Sequence, residues 1–455
     1  MQIIIIGDGK VGYSLAKHLS QEDHDVTIID KNPEALRKAD EALDVMCIKG
    51  NGLSTKVLIE AGVREADLLI AATSSDEMNM VCALTGRKLG AAHTVARIRD
   101  PEYAEELSLL KEDLGIDLVI NPEQAAAHEI ARLLRYPSAT DVEYFAKGRI
   151  EFIEIKVTPD MPLIGIPLRD LPHKVIKNIL IGVVKRGNEI IIPKGDYQIN
   201  AGDHLNIIGK PSDIFDFSKR IGKYTQKIKT VMVVGGGRIA HYLGSVLKLY
   251  DMKSKIIEID SNRGKELAES LPDVLVINGD GTDKALLDSE NLSEMDAFIS
   301  LTGRDEDNLV SAILAKKSGV KKVIAKITRI DYPSIFHDMG VDSILNPKLI
   351  TTNYILKYVR GLSNAVGNPA DTVYKIVDEK AEVLEFTANA SNSFLNIPLK
   401  RLKLVDGVII GAIARKNEII IPHGDDVIKR GDNVIVVTVE KQIHDFNQVV
   451  ISMRD

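Results

Sequence analysis

Two glycine-rich segments carry the most legible chemistry in this chain. Gly7-Asp8-Gly9-Lys10-Val11-Gly12 and Gly235-Gly236-Gly237-Arg238-Ile239-Ala240 each follow an apolar run and open a helical pattern. In the first, Gly7 permits a tight strand-to-helix turn, Gly9 lets the backbone approach a pyrophosphate without a Cβ clash, and Gly12 allows close helix packing. The free amides of the helix start, at the positive end of its dipole, then face an anion. Lys10 and Arg238 stand at equivalent positions and add a cation to each site. Phosphate is the ligand this arrangement suits. Ala240 replaces the third glycine of the second copy, a substitution the motif accepts because a methyl group is still small.

The second half of such a fingerprint is an acid at the end of the next strand, about 20 residues on, that accepts hydrogen bonds from ribose hydroxyls. Asp30 follows Gly7 by 23 residues, and Glu258 follows Gly235 by 23, which favours Glu258 over Asp260. A 2′-phosphate would meet like charge at either acid, which disfavours NADP. The acid does not separate NAD from ATP or ADP, since all three present an adenosine ribose and a polyphosphate. Thr73-Ser74 and Arg97 end later strands and are expected at the same sheet edge, where Arg97 could neutralise phosphate. Their counterparts are Thr302-Gly303 and Lys326, which keep the charge but lose a hydroxyl and the guanidinium fork, so the second site is expected to bind more weakly. Asp76 and Asp305, with Asn79 and Asn308, are expected to cap the following helices. Gly50-Asn51-Gly52 and Gly279-Asp280-Gly281 are expected to supply turns.

The elements that must hold these residues repeat with them. Gly7 and Gly235 lie 228 residues apart, and the offset is kept between Val26–Asp30 and Ser254–Glu258 and nearly kept between Ala71–Asp76 and Ser300–Asp305. Asn121-Pro122 returns as Asn346-Pro347, and Ile190–Asp196 as Ile419–Asp425, with Ala201-Gly202-Asp203 echoed by Arg430-Gly431-Asp432. The chain is a tandem duplication, ordered N-lobe, C-lobe, N-lobe, C-lobe. In the first N-lobe, strand-like Gln2–Ile6, Val26–Ile29, Asp44–Ile48, Leu68–Ala71 and Thr94–Ile98 alternate with helical-period stretches. That alternation predicts an α/β fold with a Rossmann-like, doubly wound parallel sheet in each N-lobe. The C-lobes, with short strands at Phe152–Val157, Ile181–Lys185, Glu189–Ile192 and His204–Ile208 and a turn at Lys185-Arg186-Gly187-Asn188, read as small α+β units. Their repeats are Val373–Phe386, Val408–Arg415, Glu418–Ile421 and Asn433–Val439. Boundaries near Pro137, Tyr224–Lys229 and Gly361–Pro369 divide the chain into 1–136, 137–224, 228–360 and 368–455.

At 455 residues the chain needs several cores. Its 58 lysines and arginines fall short of its 65 acids, which argues against nucleic acid as a partner. No apolar run approaches the roughly 20 residues that span a bilayer, and the strand-like N-terminus does not resemble a signal peptide, so a cytoplasmic location is expected. Cys47 and Cys82 have no CxxC spacing, and the ten histidines, His173, His204 and His423 among them, form no metal or triad motif. No catalytic group and no metal site is assigned. A substrate domain seldom duplicates with its cofactor domain unless the ligand is a signal, so regulatory binding is favoured over its alternatives, an NAD-dependent oxidoreductase or a regulator of another cation transporter.

At these residues the chain resembles the TrkA family, the peripheral regulatory subunits of Trk potassium uptake systems built from tandem regulator-of-potassium-conductance (RCK) units. The carriers are GDGKVG with Asp30, Ala71–Glu77, VARIRDPEY at Val95–Tyr103, GGGRIA with Glu258, and both IIIPxGD blocks, and the likeness covers essentially the whole chain. The resemblance implies NAD(H), and ATP or ADP in the same pockets. It implies a homo-oligomeric, tetrameric ring on the inner face of the membrane, controlling a separate TrkH/TrkG-like potassium-translocating subunit. The cofactor set it carries over is Gly7, Asp8, Gly9, Lys10, Val11, Gly12, Asp30, Thr73, Ser74 and Arg97 in the first lobe. In the second it is Gly235, Gly236, Gly237, Arg238, Ile239, Glu258, Thr302 and Lys326.

Overall fold

A computed structural model of the chain describes all residues except 102, 104–114, 136–140, 147–148, 173–174, 188, 223–226, 330–338, 364–369, 371, 378–379, 440–442, 444 and 454–455. Pro137, Tyr224, His173, Asn188 and residues 364–369, named above, therefore lie outside the described residues. The chain forms two compact units, Met1–Leu134 with Ile228–Leu356, and Arg135–Lys227 with Lys357–Asp455.

The first unit holds both N-lobes. The first runs β1 (Gln2–Ile6), α1 (Lys10–Gln21), β2 (Asp25–Asp30), α2 (Pro33–Ala42), β3 (Met46–Lys49), α3 (Thr55–Glu60), β4 (Leu68–Ala71), α4 (Asp76–Leu89), β5 (His93–Arg97), β6 (Leu118–Ile120) and α5 (Pro122–Arg135). Its sheet has the order β3-β2-β1-β4-β5-β6, parallel throughout. Ile3 to Ile6 and Leu68 to Ala71 are buried on both sides, as strands of a helix-covered parallel sheet must be. Strand order reverses between β1 and β4, so a crevice opens at their carboxyl ends, where the Gly7 loop stands. The doubly wound α/β class read from the alternation is the one observed.

The second unit holds both C-lobes. The first comprises β7 (Asp141–Phe145), β8 (Ile150–Lys156), β9 (Ile179–Arg186), β10 (Glu189–Ile191), β11 (His204–Gly209) and α6 (Pro211–Arg220), with antiparallel order β10-β9-β11-β8-β7. Buried Asp203 takes a two-pronged ion pair from Arg186, Nε to Oδ1 and Nη2 to Oδ2, both 2.8 Å.

The second N-lobe repeats the first as β12 (Thr230–Val234), α7 (Arg238–Leu249), β13 (Lys253–Glu258), α8 (Ser261–Ser270), β14 (Leu275–Asn278), α9 (Lys284–Ser289), β15 (Ala297–Ser300), α10 (Asp305–Lys317), β16 (Lys322–Lys326), β17 (Ser343–Leu345) and α11 (Pro347–Ser363). The strand order is again β14-β13-β12-β15-β16-β17. The second C-lobe has β18 (Thr372–Ile376), β19 (Ala381–Thr387), β20 (Leu402–Leu404), β21 (Val408–Arg415), β22 (Glu418–Ile420), β23 (Asn433–Val439) and β24 (Val450–Met453). Val373–Phe386, read as one stretch, is a hairpin of β18 and β19, broken where Val377 takes a φ of +52°. Arg415 and Asp432 repeat the Arg186–Asp203 pair at 2.9 and 2.7 Å.

The two N-lobes share a core. Ala126, Ala127, Ile130, Leu133 and Leu134, at helical spacing on α5 of the first repeat, are buried with Val231, Ile239 and Leu243 of the second. Each large apolar side chain so buried contributes about 1.5–3 kcal/mol. Asn121, just before α5, donates from Nδ2 to the Tyr242 hydroxyl at 2.7 Å. The helix that ends the first repeat thus belongs to the packing of the second.

Candidate nucleotide sites

Gly7 turns at φ +103°, with its amide on the Ile29 carbonyl (2.8 Å) and its α-carbon face against Ala72 and Thr73, so the loop is pinned between β2 and β4. Gly9 precedes α1 in extended backbone with no neighbour where a Cβ would stand, which leaves its face open to a ligand. Lys10 is exposed and Val11 buried. A Cβ on Gly12 would fall 1.8 Å from the Gly7 carbonyl oxygen, so the third glycine is required by the turn itself.

Asp30 sits at the end of β2 with both oxygens committed to backbone amides, Oδ2 to Asp8 (2.6 Å) and Oδ1 to Asn32 (2.7 Å). These bonds fix the carboxylate at the loop and leave its remaining lone pairs for a ribose diol. Asp8 is itself buried, and neither of its carboxylate oxygens has a hydrogen-bond partner. Burial, and then the neighbouring Asp30 charge, push its carboxyl up to about 6.

The strand ends are tied together by Asn79. Its Oδ1 accepts from the Thr73 amide (2.8 Å) and hydroxyl (2.7 Å), and its Nδ2 donates to the Thr73 (3.3 Å) and Arg97 (2.8 Å) carbonyls. The expectation that Asp76 and Asn79 cap a helix is corrected. Ser75 caps α4 by accepting from the Met78 amide (3.1 Å), while Asp76 takes the amides of Arg99 and Asp100, each at 2.8 Å. In the second repeat Asn308 and Asp305 make the corresponding ties to Thr302, Lys326, Thr328 and Arg329. These side chains brace the sheet edge because two adjacent strands end there with unpaired backbone groups. Ser74 is exposed, and its carbonyl accepts from Arg99. Arg97 lays Nη1 on the Thr73 carbonyl (3.4 Å), and its Nε is buried without a partner. Burial, then Arg99, depress its pKa, with Glu123, Asp76 and Arg238 also facing it.

The second loop repeats the first bond for bond. Gly235 turns at φ +96° with its amide on Ile257 (2.9 Å), and the Gly236 amide reaches Glu258 Oε2 at 2.6 Å while Oε1 accepts from Asp260 (2.9 Å). Asp260 instead caps α8, accepting from Asn262 and Arg263. Gly236 replaces Asp8 where a Cβ would lie 2.8 Å from Glu258 Oε2. A cavity of about 340 Å³ opens on this loop, lined by Glu123 with Gly237, Arg238, Ile239, Arg263 and Lys326. Lys326 Nζ donates to the Leu301 carbonyl (3.1 Å), and burial lowers its pKa.

Three charged residues in these sites were missed from the sequence. Arg263 holds the Gly236 carbonyl through Nε at 2.8 Å. Glu123 belongs to the first repeat yet lines the second cavity. Lys348 donates to the Thr328 carbonyl (2.7 Å) and lies against Lys10 of the first loop. The available signal was the shared Asn-Pro pair, since Glu123 and Lys348 each follow it directly.

The TrkA-N domain family matches residues 3–122 and 231–347, and the TrkA-C domain family residues 152–222 and 383–450. The chain belongs to the TrkA family. Its relatives include the Trk system potassium uptake protein TrkA homolog 1 of Methanosarcina mazei, 37% identical over 444 residues, spanning 96% of this chain and 97% of that one. The Trk system potassium uptake protein TrkA of Haemophilus influenzae is 36% identical over 452 residues, covering 97% and 96%. In fold, this TrkA-family chain is similar to the crystal structure of the GsuK RCK domain (TM-score 0.63, 18% identity, covering 96% of this chain and 92% of that one). It matches the GsuK channel bound to NAD equally well, at TM-score 0.63, 17% identity and 96% and 77% coverage. None of its described helices is long and apolar enough to cross a membrane.

Proposed function

We propose that this TrkA-family chain is a regulatory subunit of a Trk-type potassium uptake system, acting by binding nucleotides rather than by turnover. It works at the cytoplasmic face of the membrane as a homo-oligomeric, tetrameric ring, beside a separate TrkH/TrkG-like potassium-translocating subunit. The N-lobes at 1–136 and 228–360 take NAD(H), with ATP or ADP as competitors for the same pockets, and the C-lobes at 137–224 and 368–455 complete each repeat. The observation that carries the reading is the doubled loop and ribose acid. The Asp8 amide on Asp30 and the Gly236 amide on Glu258, both at 2.6 Å, present the same acceptor beside the same helix start twice. The relatives' names as potassium uptake proteins and the NAD-bound GsuK channel support it.

The first pocket is framed by Gly7, Gly9, Lys10 and Gly12 under the phosphates, Asp30 at the ribose, and Thr73, Ser74 and Arg97 at the strand ends. Gly235, Gly237, Arg238, Glu258, Thr302 and Lys326 frame the second. Occupancy acts on the gate only through unequal affinity for two ring shapes, and a tenfold ratio contributes about 1.4 kcal/mol per site. Calorimetric titration of the purified protein with NAD, NADH, ATP and ADP tests the reading, with Asp30→Ala expected to weaken binding at the first pocket at least tenfold. Absence of binding by all four nucleotides, or unchanged affinities in the variant, would refute it.

A further inference from the structure

Glu123 and Lys348 occupy the same place in the two repeats, one residue after the shared Asn121-Pro122 and Asn346-Pro347 pairs, yet they carry opposite charges. Each reaches the loop of the other repeat. Glu123 opens α5, whose apolar face is buried in the core of the second repeat, and it lines the cavity with Gly237, Arg238 and Lys326. Its Oε2 is buried without a hydrogen-bond partner. The cations that face it are Arg97 and Arg99 from its own repeat and Arg238 from the second loop. Lys348 opens α11 and stands against Lys10 at the start of α1, so the positive end of that helix is crowded by two ammonium groups. Two like charges at a helix N-terminus are unfavourable until an anion lies between them. In the second pocket, by contrast, a carboxylate of the protein already supplies negative charge beside the phosphate-facing cations.

We propose that each nucleotide pocket is completed by a side chain from the opposite repeat, and that the Lys348/Glu123 charge inversion sets which nucleotide each prefers. The first pocket, with Lys10 and Lys348, selects a ligand with an extended, highly charged phosphate tail such as a nucleoside triphosphate. The second, where Glu123 opposes additional negative charge, selects a ligand that ends its charge at the diphosphate, such as ADP or a dinucleotide. This rests on the nucleotide reading above and assigns the specificity of those same sites.

The test is calorimetric titration of the full-length chain with ATP and with ADP, for the wild type, Glu123→Lys, Glu123→Gln and Lys348→Glu, each checked for an unchanged far-ultraviolet circular dichroism spectrum. The wild type is expected to show two classes of site whose ATP-to-ADP affinity ratios differ by about tenfold or more. Glu123→Lys raises the ratio of the ADP-preferring class by about tenfold, Glu123→Gln, which keeps the shape and removes the charge, raises it by part of that, and Lys348→Glu lowers the ratio of the other class. Nucleotide binding with one common ratio, or with ratios that none of the three variants moves, overturns the charge-inversion proposal while leaving the pockets standing. No binding of either nucleotide by any of the proteins instead overturns the nucleotide reading itself.

Discussion

Replacing Asp8 by asparagine probes the one acid of the first loop that the fold holds at a disadvantage. Its carboxylate is 8% exposed, lacks hydrogen-bond partners on both oxygens, and lies beside Asp30, so burial first and the like charge second raise its pKa from 3.8 to about 6. Below pH 3.8 the group is protonated in the folded and unfolded chain alike and costs nothing. As pH climbs from 3.8 to about 6 the unfolded chain releases its proton first, so the folded state loses stability over that window and stays penalised above it. The full displacement corresponds to at most about 3 kcal/mol, and water in the open cleft screens this to about 1–2 kcal/mol. Asp8→Asn removes the penalty without changing the shape of the side chain. Differential scanning calorimetry of the ligand-free protein at pH 4 to 7.5 should show the variant unfolding about 2–6 °C higher at pH 7 and converging on the wild type near pH 4. A difference that does not grow between pH 4 and pH 6.5, or a variant that is the less stable at pH 7, would refute the reasoning.

Gly12→Ala places a methyl group 1.8 Å from the Gly7 carbonyl and should cost about 1–3 kcal/mol and abolish calorimetric binding at the first pocket, whereas Ala240→Gly in the second loop should cost under about 1 kcal/mol. Asn79→Ala strands the Thr73 amide and the Arg97 carbonyl, with an expected loss of about 2–4 kcal/mol in urea unfolding followed at the first N-lobe. Arg186→Ala leaves Asp203, 1% exposed, without its partner, and should destabilise the C-lobe unit by about 2–4 kcal/mol after allowance for the half-exposed guanidinium. Burial opposes the charge of Asp203, but Arg186 and the Asn200 amide more than offset it and hold its carboxyl below the usual range. The stability from the pair is therefore full above the ordinary carboxylate range and falls as pH drops through the folded value, a dependence that acid titration of Arg186→Ala should find reversed.

What the sequence made legible was whatever local chemistry dictates. The parallel sheets follow from alternating strand and helix periods, and the loops follow from Gly7, Gly9 and Gly12 because the turn sterically requires glycine. Glu258 was separable from Asp260 because the 23-residue spacing fixes which residue ends the strand. Legibility failed where a residue's partner lies far along the chain. Asp76 and Asn79 looked like caps because their types and positions suit caps, yet their partners at Arg97 and Arg99 are about 20 residues distant. Glu123 was unreadable as a pocket residue because no periodicity says that α5 packs into the other repeat. The hairpin within Val373–Phe386 was missed because its break rests on a non-glycine residue at positive φ, Val377, which carries no turn signal.

The exchange of terminal elements bears on why the unit is doubled within one chain. A single N-lobe ends in a helix with a strongly apolar face, Ala126 to Leu134, that its own sheet does not cover, and the Tyr242–Asn121 bond and the shared core show the second lobe supplying that cover. Two identical lobes could satisfy each other in the same way, but identical lobes must carry identical charges at the residue after Asn-Pro. Fusing them frees that residue to differ, and here it has become glutamate in one repeat and lysine in the other. The thermodynamic consequence is that the two pockets of one chain stop being copies. A ligand's effect on the second pocket then acts through helix α5, which is anchored beside the first, and by linkage whatever coupling exists must be equal in both directions. Duplication without divergence would give two readings of one signal, whereas opposite charges at a swapped position let one chain compare two.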